Sequence, residues 1–307
     1  MGLWRSKRRA KGLVGVELNP DGIAIAVRRG TSEDIELVDF RPYDDGHAAN
    51  GERLTRALRP LVARHKLSNY DCNLVLGNGD YSIHLTEAPD VTPEELAEAT
   101  RWRIAELITY PVEDVVVEVL ALPENLKQFE SPMVYAVVAQ NSHMQRLAEA
   151  VNESRLTLKR IDIRELALRN LGLFLDPETT GFAVVHVDPD KAHVYIFRDG
   201  DLCLAHQCAF EALTGPEDLA GQWDALMREV QRSLEYFERQ LGQSVPRAIY
   251  FGGQGITDSR WVERFQSDFA PRFRILNDQS RYPTTPPRKG EDTTSRCLGA
   301  IGGALHG

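Results

Sequence analysis

Cysteine is scarce: four in 307 residues, at 72, 203, 208 and 297. So few thiols at such irregular spacings exclude a disulfide framework and fit a reducing compartment. No run approaches the roughly 20 apolar residues that a helix needs to cross a bilayer, which excludes a helical membrane span. The first residues carry charge without a following apolar stretch, so no secretory signal peptide is read. No Walker A loop, G-x-S-x-G elbow or H-E-x-x-H pair occurs, which removes P-loop, serine-hydrolase and zinc-protease chemistry. A broad basic surface is missing too, since the chain carries net −9, and a nucleic-acid partner is not expected.

What is present is ordinary globular usage, 42% hydrophobic and 26% charged, over a length that suits two lobes. The acidity is uneven. Residues 1–12 form a basic tail with Arg5, Lys7, Arg8, Arg9 and Lys11 and no acid, so setting these five aside leaves −14 on the remainder. Beside Leu3 and Trp4, such a tail suits anionic lipid at roughly 1 kcal/mol per cation.

Alternating apolar runs at Leu13–Leu18 and Ile23–Val27 flank Asn19-Pro20-Asp21-Gly22, which is turn chemistry and predicts a hairpin; Ile35–Phe40 supplies a third strand. Helical spacing over Leu54–His65 and a strand at Asn73–Leu76 follow. Thr92, Pro93 and Glu95 form a helix-start signature, predicting a helix to about Thr109. Strands are predicted at Val115–Leu120 and Met133–Val138, a helix at Met144–Val151, and another entered at Arg160–Ile163. The strand–turn–strand unit then recurs at Phe182–Val187 and His193–Phe197, with a third strand at Leu202–Cys208. After it come a helix over Trp223–Leu241, a strand at Arg247–Phe251 ending in Gly252-Gly253-Gln254-Gly255, a helix around Trp261, a polar loop at 277–294 and a small-residue helix at Cys297–Leu305. The three-stranded unit therefore appears twice, near 13–40 and 182–208.

Duplicated meanders, each opening a lobe, resemble the superfamily that joins actin with the heat-shock chaperone ATPases. Gly12–Val27, Pro93–Pro111, Tyr135–Ile163, Phe182–Gly200, Ser233-Leu-Glu-Tyr-Phe, Ala248–Gly255 and the closing Leu298–Leu305 resemble, in order and spacing, the PilM family of type IV pilus assembly proteins. Within it they are most similar to the branch serving the mannose-sensitive haemagglutinin (MSHA) pilus, MshI. The resemblance implies an α/β fold of the actin-like (ribonuclease H-like) type, two-lobed, with duplicated βββ-α units and an inserted subdomain as in the division protein FtsA. It divides the chain into the tail 1–12, a first lobe 13–170 with an insertion at about 86–160, a second lobe 171–294, and a helix 295–307 returning to the first lobe. It also implies a bacterial cytoplasmic protein, peripheral at the inner membrane, that captures the tail of a PilN-like membrane protein in a groove lined in part by residues 86–125. A GspL-like secretion component shares the fold but normally carries its own membrane helix.

In that superfamily each hairpin turn holds nucleotide phosphates, and a carboxylate holds hydrated Mg²⁺. Relatives begin with an Asp-Ile-Gly-Ser-like turn and a Lys; here stand Glu17-Leu18-Asn19-Pro20 and Ala24, and His186, Asp188 and Pro189-Asp190-Lys191 alter the second turn. Glu17 is the candidate Mg²⁺-side carboxylate and Asp162 the candidate water-orienting acid. Gly252, Gly253 and Gly255 resemble the adenosine motif, and Glu229 and Arg232 the ribose and adenine contacts. The reading is a degenerate cleft: ATP and Mg²⁺ can bind but are not required, hydrolysis is not expected, and the body serves as a scaffold; the alternative is an active ATPase of the pilus machine with Glu17 on the Mg²⁺ side and Asp162 orienting water. Cys203-x-x-His206-x-Cys208 fits no standard zinc spacing and lacks a fourth ligand, so no metal site is expected. His186 and His193 flank one turn, could approach each other across the hairpin, and are read as structural.

Overall fold

The computed structural model describes residues 11–30, 32, 34–43, 51–123, 126, 129–188, 191–209, 219–253, 256, 259–269, 272–277, 281–283 and 293–306. In chain order the elements are β1 (Gly12–Asn19), β2 (Gly22–Arg29), β3 (Leu37–Pro42), α1 (Gly51–Arg64), β4 (Asp71–Val75), β5 (Tyr81–Glu87), α2 (Leu96–Arg103), β6 (Val115–Ala121), β7 (Met133–Gln140), α3 (Asn141–Glu153), β8 (Thr157–Asp162) and α4 (Arg164–Leu175). The second half runs β9 (Gly181–Val187), β10 (Lys191–Arg198), β11 (Asp201–Ala209), α5 (Leu219–Arg239), β12 (Ala248–Gly253), α6 (Ser259–Phe269), β13 (Phe273–Ile275) and α7 (Leu298–Leu305).

The duplication is topological. One sheet has the order β3-β2-β1-β4-β8 and the other β11-β10-β9-β12-β13, so each is a meander extended by two strands parallel to its first. A third sheet, β5-β7-β6, is the insertion.

Alternation along β1 and β2 decides what each face meets. Val14, Val16, Leu18, Ile23, Ile25 and Val27 bury against α1 and α3. The opposite face offers small residues, Gly15, Ala24 and Ala26, and there α7 packs. A strand has period 2, so this same alternation turns Glu17 away from the α1 side and toward α7, where its carboxylate accepts the Ala300 N–H at 3.2 Å. Close approach of α7 requires glycine: a Cβ on Gly302 would overlap the Ala167 carbonyl of α4. The central strands of the second sheet, β9, β10 and β12, are buried on both faces, as apolar runs such as Phe182–Val185 dictate.

Several expectations need correction. The helix expected from Thr92 to about Thr109 is shorter. Thr92 and Pro93 form a turn, Thr92 bonds the Glu95 side chain at 3.0 Å, and the helix occupies Leu96–Arg103. Arg160–Ile163 does not enter a helix: it belongs mostly to β8, which pairs with β4, and α4 starts at Arg164. β5 and β13 had no counterpart in the sequence reading. The third sheet spans 81–140, and β8 joins the first sheet.

Candidate functional site

The two hairpins face each other, and the groups between them form a buried ionic network. Arg164, the first residue of α4, is 1% exposed. Its Nε lies 3.3 Å from Glu17 Oε1 of β1, and its Nη1 donates to both oxygens of Asp188, at 3.0 and 3.4 Å, just beyond β9. Asn78, after β4, donates to Asp188 Oδ2 at 3.1 Å, so the same carboxylate is gripped from the first lobe twice. His186 and His193 are cross-strand partners, as their flanking of one turn implied. Their ring nitrogens lie 3.7 and 3.5 Å from Asp188.

Two carboxylates thus share one guanidinium, and their protonation separates accordingly. Burial alone would raise the Asp188 carboxyl; His186, the neighbouring His193 ring and Arg164 together outweigh it and hold the group well below the usual carboxylate range. Burial of Glu17 is only partly offset by Arg164, so its pKa rises. Burial works against the Arg164 charge, but Asp188 and then Glu17 more than compensate and raise its pKa. Burial pushes His186 down to about 4 despite Asp188, so its ring is neutral at physiological pH. Tyr81 of β5 donates to Glu165 at 2.6 Å, which draws the inserted sheet onto the start of α4.

The first turn is likewise occupied by the protein itself. Asn19 donates to the Arg296 carbonyl at 3.0 Å, and the Arg296 guanidinium pairs with Asp21 at 2.6 Å while lying over the Phe40 ring. The tip of the second turn, Pro189 and Asp190, lies outside the described residues, as does most of the basic tail (Arg5, Lys7, Arg8, Arg9). What is left of the cleft is a groove of about 390 Å³ bordered by Asn78, Tyr81, Glu165, Lys191, His193 and His206. A triphosphate with Mg²⁺ does not fit this donor set. Between the turns Glu17 and Asp188 are both already paired with Arg164, so neither carboxylate is free to hold hydrated Mg²⁺.

The remaining sequence candidates fall in separate surroundings. Asp162 is buried, with Oδ2 3.0 Å from His306 Nδ1 and Oδ1 accepting the Ile163 N–H. Gly252 and Gly253 have packing reasons of their own. A Cβ on Gly252 would reach the Leu298 side chain at 2.6 Å, and Gly253 has φ +104° and would overlap the Val187 backbone. The Asn277 carboxamide clamps both polar groups of Gly253 at 3.0 and 2.6 Å. Gly255 lies outside the described residues. Glu229 accepts from Arg232 at 2.6 Å and has His206 at 3.6 Å on its other oxygen. Sequence reasoning missed Arg164 altogether. The available signal was a cation opening an apolar helix, where the macrodipole disfavours positive charge unless an acid faces it.

No protein-family model matches the chain, and no curated protein matches it. Solved structures do. A protein of the PilM-PilN type IV pilus biogenesis complex superimposes with a TM-score of 0.69 at 18% identity, covering 97% of this chain and 97% of its own. A Bacteroides thetaiotaomicron protein with an actin-like ATPase fold and unknown function gives 0.50 at 12% identity, covering 92% and 96%. The cytoplasmic domain of EpsL, an inner-membrane component of the Vibrio cholerae type II secretion system, gives 0.48 at 11% identity, covering 93% of each chain. At such identities the likeness is one of fold: the chain has the two-lobed actin-like architecture.

Proposed function

We propose that this chain is a non-hydrolysing actin-like scaffold of a type IV pilus assembly machine of the MSHA kind, which holds the tail of a PilN-like inner-membrane protein against its inserted sheet. The observation that carries this reading is where exposed large apolar side chains fall. Of the five among the described residues, Leu85, Val91, Trp102 and Leu107 belong to the insertion, and Trp102 is 62% exposed. Exposed apolar side chains concentrated on one small subdomain, Trp102 foremost, are what a partner would cover. Likeness over 97% of both chains to a protein of the PilM-PilN complex supports the class of partner.

The cleft supports a scaffold over a motor, because Arg164 stands between the carboxylates that a Mg²⁺-nucleotide would need free. On this reading the protein sits at the cytoplasmic face of the inner membrane. No described helix is long and apolar enough to cross it. Arg5, Lys7, Arg8, Arg9 and Lys11 add contact with anionic lipid. The test is calorimetric titration with a PilN-like tail peptide, with and without ATP and Mg²⁺. Peptide binding that is lost in Trp102→Asp and indifferent to nucleotide is the expected result. Mg²⁺-dependent ATP turnover, or no peptide binding by the wild-type chain, overturns the proposal.

A further inference from the structure

On the outer side of the second lobe, β11 and α5 bring together three donors that are remote in sequence. His206 and Cys208 are two apart on β11 and so project from one face of the strand, opposite Val194 and Ala192 of β10. Beneath them α5 supplies Glu229. One imidazole nitrogen, the Cys208 sulfur and a Glu229 carboxylate oxygen all lie within 4.8 Å of one another. The two Glu229 oxygens are differentiated: Oε1 accepts from Arg232 at 2.6 Å, whereas Oε2 turns toward His206 Nε2 at 3.6 Å. The third residue of the sequence pattern, Cys203, is not part of the group; its Sγ points to the Asp201 carbonyl at 3.7 Å.

We infer that His206, Cys208 and Glu229 form a binding site for a late first-row divalent metal, Zn²⁺ above all, with the fourth position left to water. The donor chemistry selects the ion. A thiolate excludes Mg²⁺ and Ca²⁺, an imidazole suits zinc, and three protein ligands leave a tetrahedral zinc one open place. Tetrahedral coordination needs donors about 3.3–3.6 Å apart, so each group closes by no more than about 1 Å. Arg232 on the remaining oxygen fixes Glu229 as a monodentate ligand, the arrangement in which an outer partner orients an inner one. Metal binding forms the metal–sulfur bond by expelling the thiol proton to solvent, so affinity rises with pH. The spacing concealed the site because its third ligand comes from α5, more than twenty residues beyond Cys208.

The test uses the full chain without a histidine tag, freed of metal by chelator and titrated with Co²⁺. One equivalent should develop a thiolate-to-cobalt charge-transfer band together with visible bands of tetrahedral intensity, release one proton, and lose the bands on addition of Zn²⁺. Cys208→Ser should abolish the charge-transfer band and Cys203→Ser should leave it. His206→Ala, at a solvent-exposed position where folding is not in question, and Glu229→Gln should each weaken Co²⁺ by more than the roughly 10–100-fold typical of outer-shell changes. A titration without the charge-transfer band, or a band that survives Cys208→Ser, overturns the inference.

Discussion

Arg164 is one of the largest fully buried side chains in the molecule, and its charge is answered by two acids. Removing one member of such a group is costly because the others stay buried without a counter-charge. Arg164→Met should therefore lower stability by about 3–5 kcal/mol at neutral pH in urea unfolding. The deficit should shrink as pH falls, since protonation relieves the stranded Glu17 and Asp188. His186 gives an independent pH signature. Its folded pKa is pushed down to about 4 from an ordinary 6.5, so between those values the unfolded chain binds a proton that the folded one refuses. Stability is retained above about 6.5 and lost as pH falls toward 4. The groups facing this ring are Asp188, Arg164 and His193, and His186→Asn should flatten that part of the stability profile relative to wild type.

Among elements, α7 depends on how little side chain it carries. Gly302→Val would push into the Ala167 backbone, which cannot rotate aside, and should cost about 2 kcal/mol or more on denaturant unfolding. Gly221→Ala in α5, where a methyl group meets open space, should instead stabilise by about 0.5–1 kcal/mol. The elements readable from sequence included both meanders, α1, β4, β6, β7, α3, α5, β12, α6 and the glycine-rich α7. β8 was misread for a physical reason. It precedes an apolar helix whose N-cap, Ile163, offers no side-chain acceptor, so nothing in the sequence marks where strand ends and helix starts. β5 alternates Tyr81, Ile83 and Leu85 with Ser82, His84 and Thr86, so its period was legible and was passed over; it lies half-exposed at a sheet edge. Around Thr92 the error ran the other way, with a good start signature spent on a turn. At the cleft, Glu17, His186 and Asp188 could be placed from the hairpins alone. Arg164 joins them only through packing between residues 17, 164 and 188, which no local pattern reports.

At the scale of the whole molecule, stability is unevenly spread. The inserted sheet rests on a small core of Ile104, Val115, Val117, Ala136 and Val138, whereas the central strands of the second-lobe sheet are buried on both faces. Hydrogen exchange should find the amides of β6 opening at lower free energy than those of β9, through local rather than global unfolding. Trp102→Asp, on the exposed side of that subdomain, should change overall stability by less than about 0.5 kcal/mol, measured by thermal melting.

The hydrogen bond from Asn78 to Asp188, together with the grip of Arg164 on the same carboxylate, spans from one half of the body to the other. Prising the halves apart would strand a charge, so these contacts resist a change in the angle between them. On the scaffold reading proposed above, control over what the protein holds lies in outside quantities, namely how many copies are made, how many partner tails compete for them, and where both are gathered.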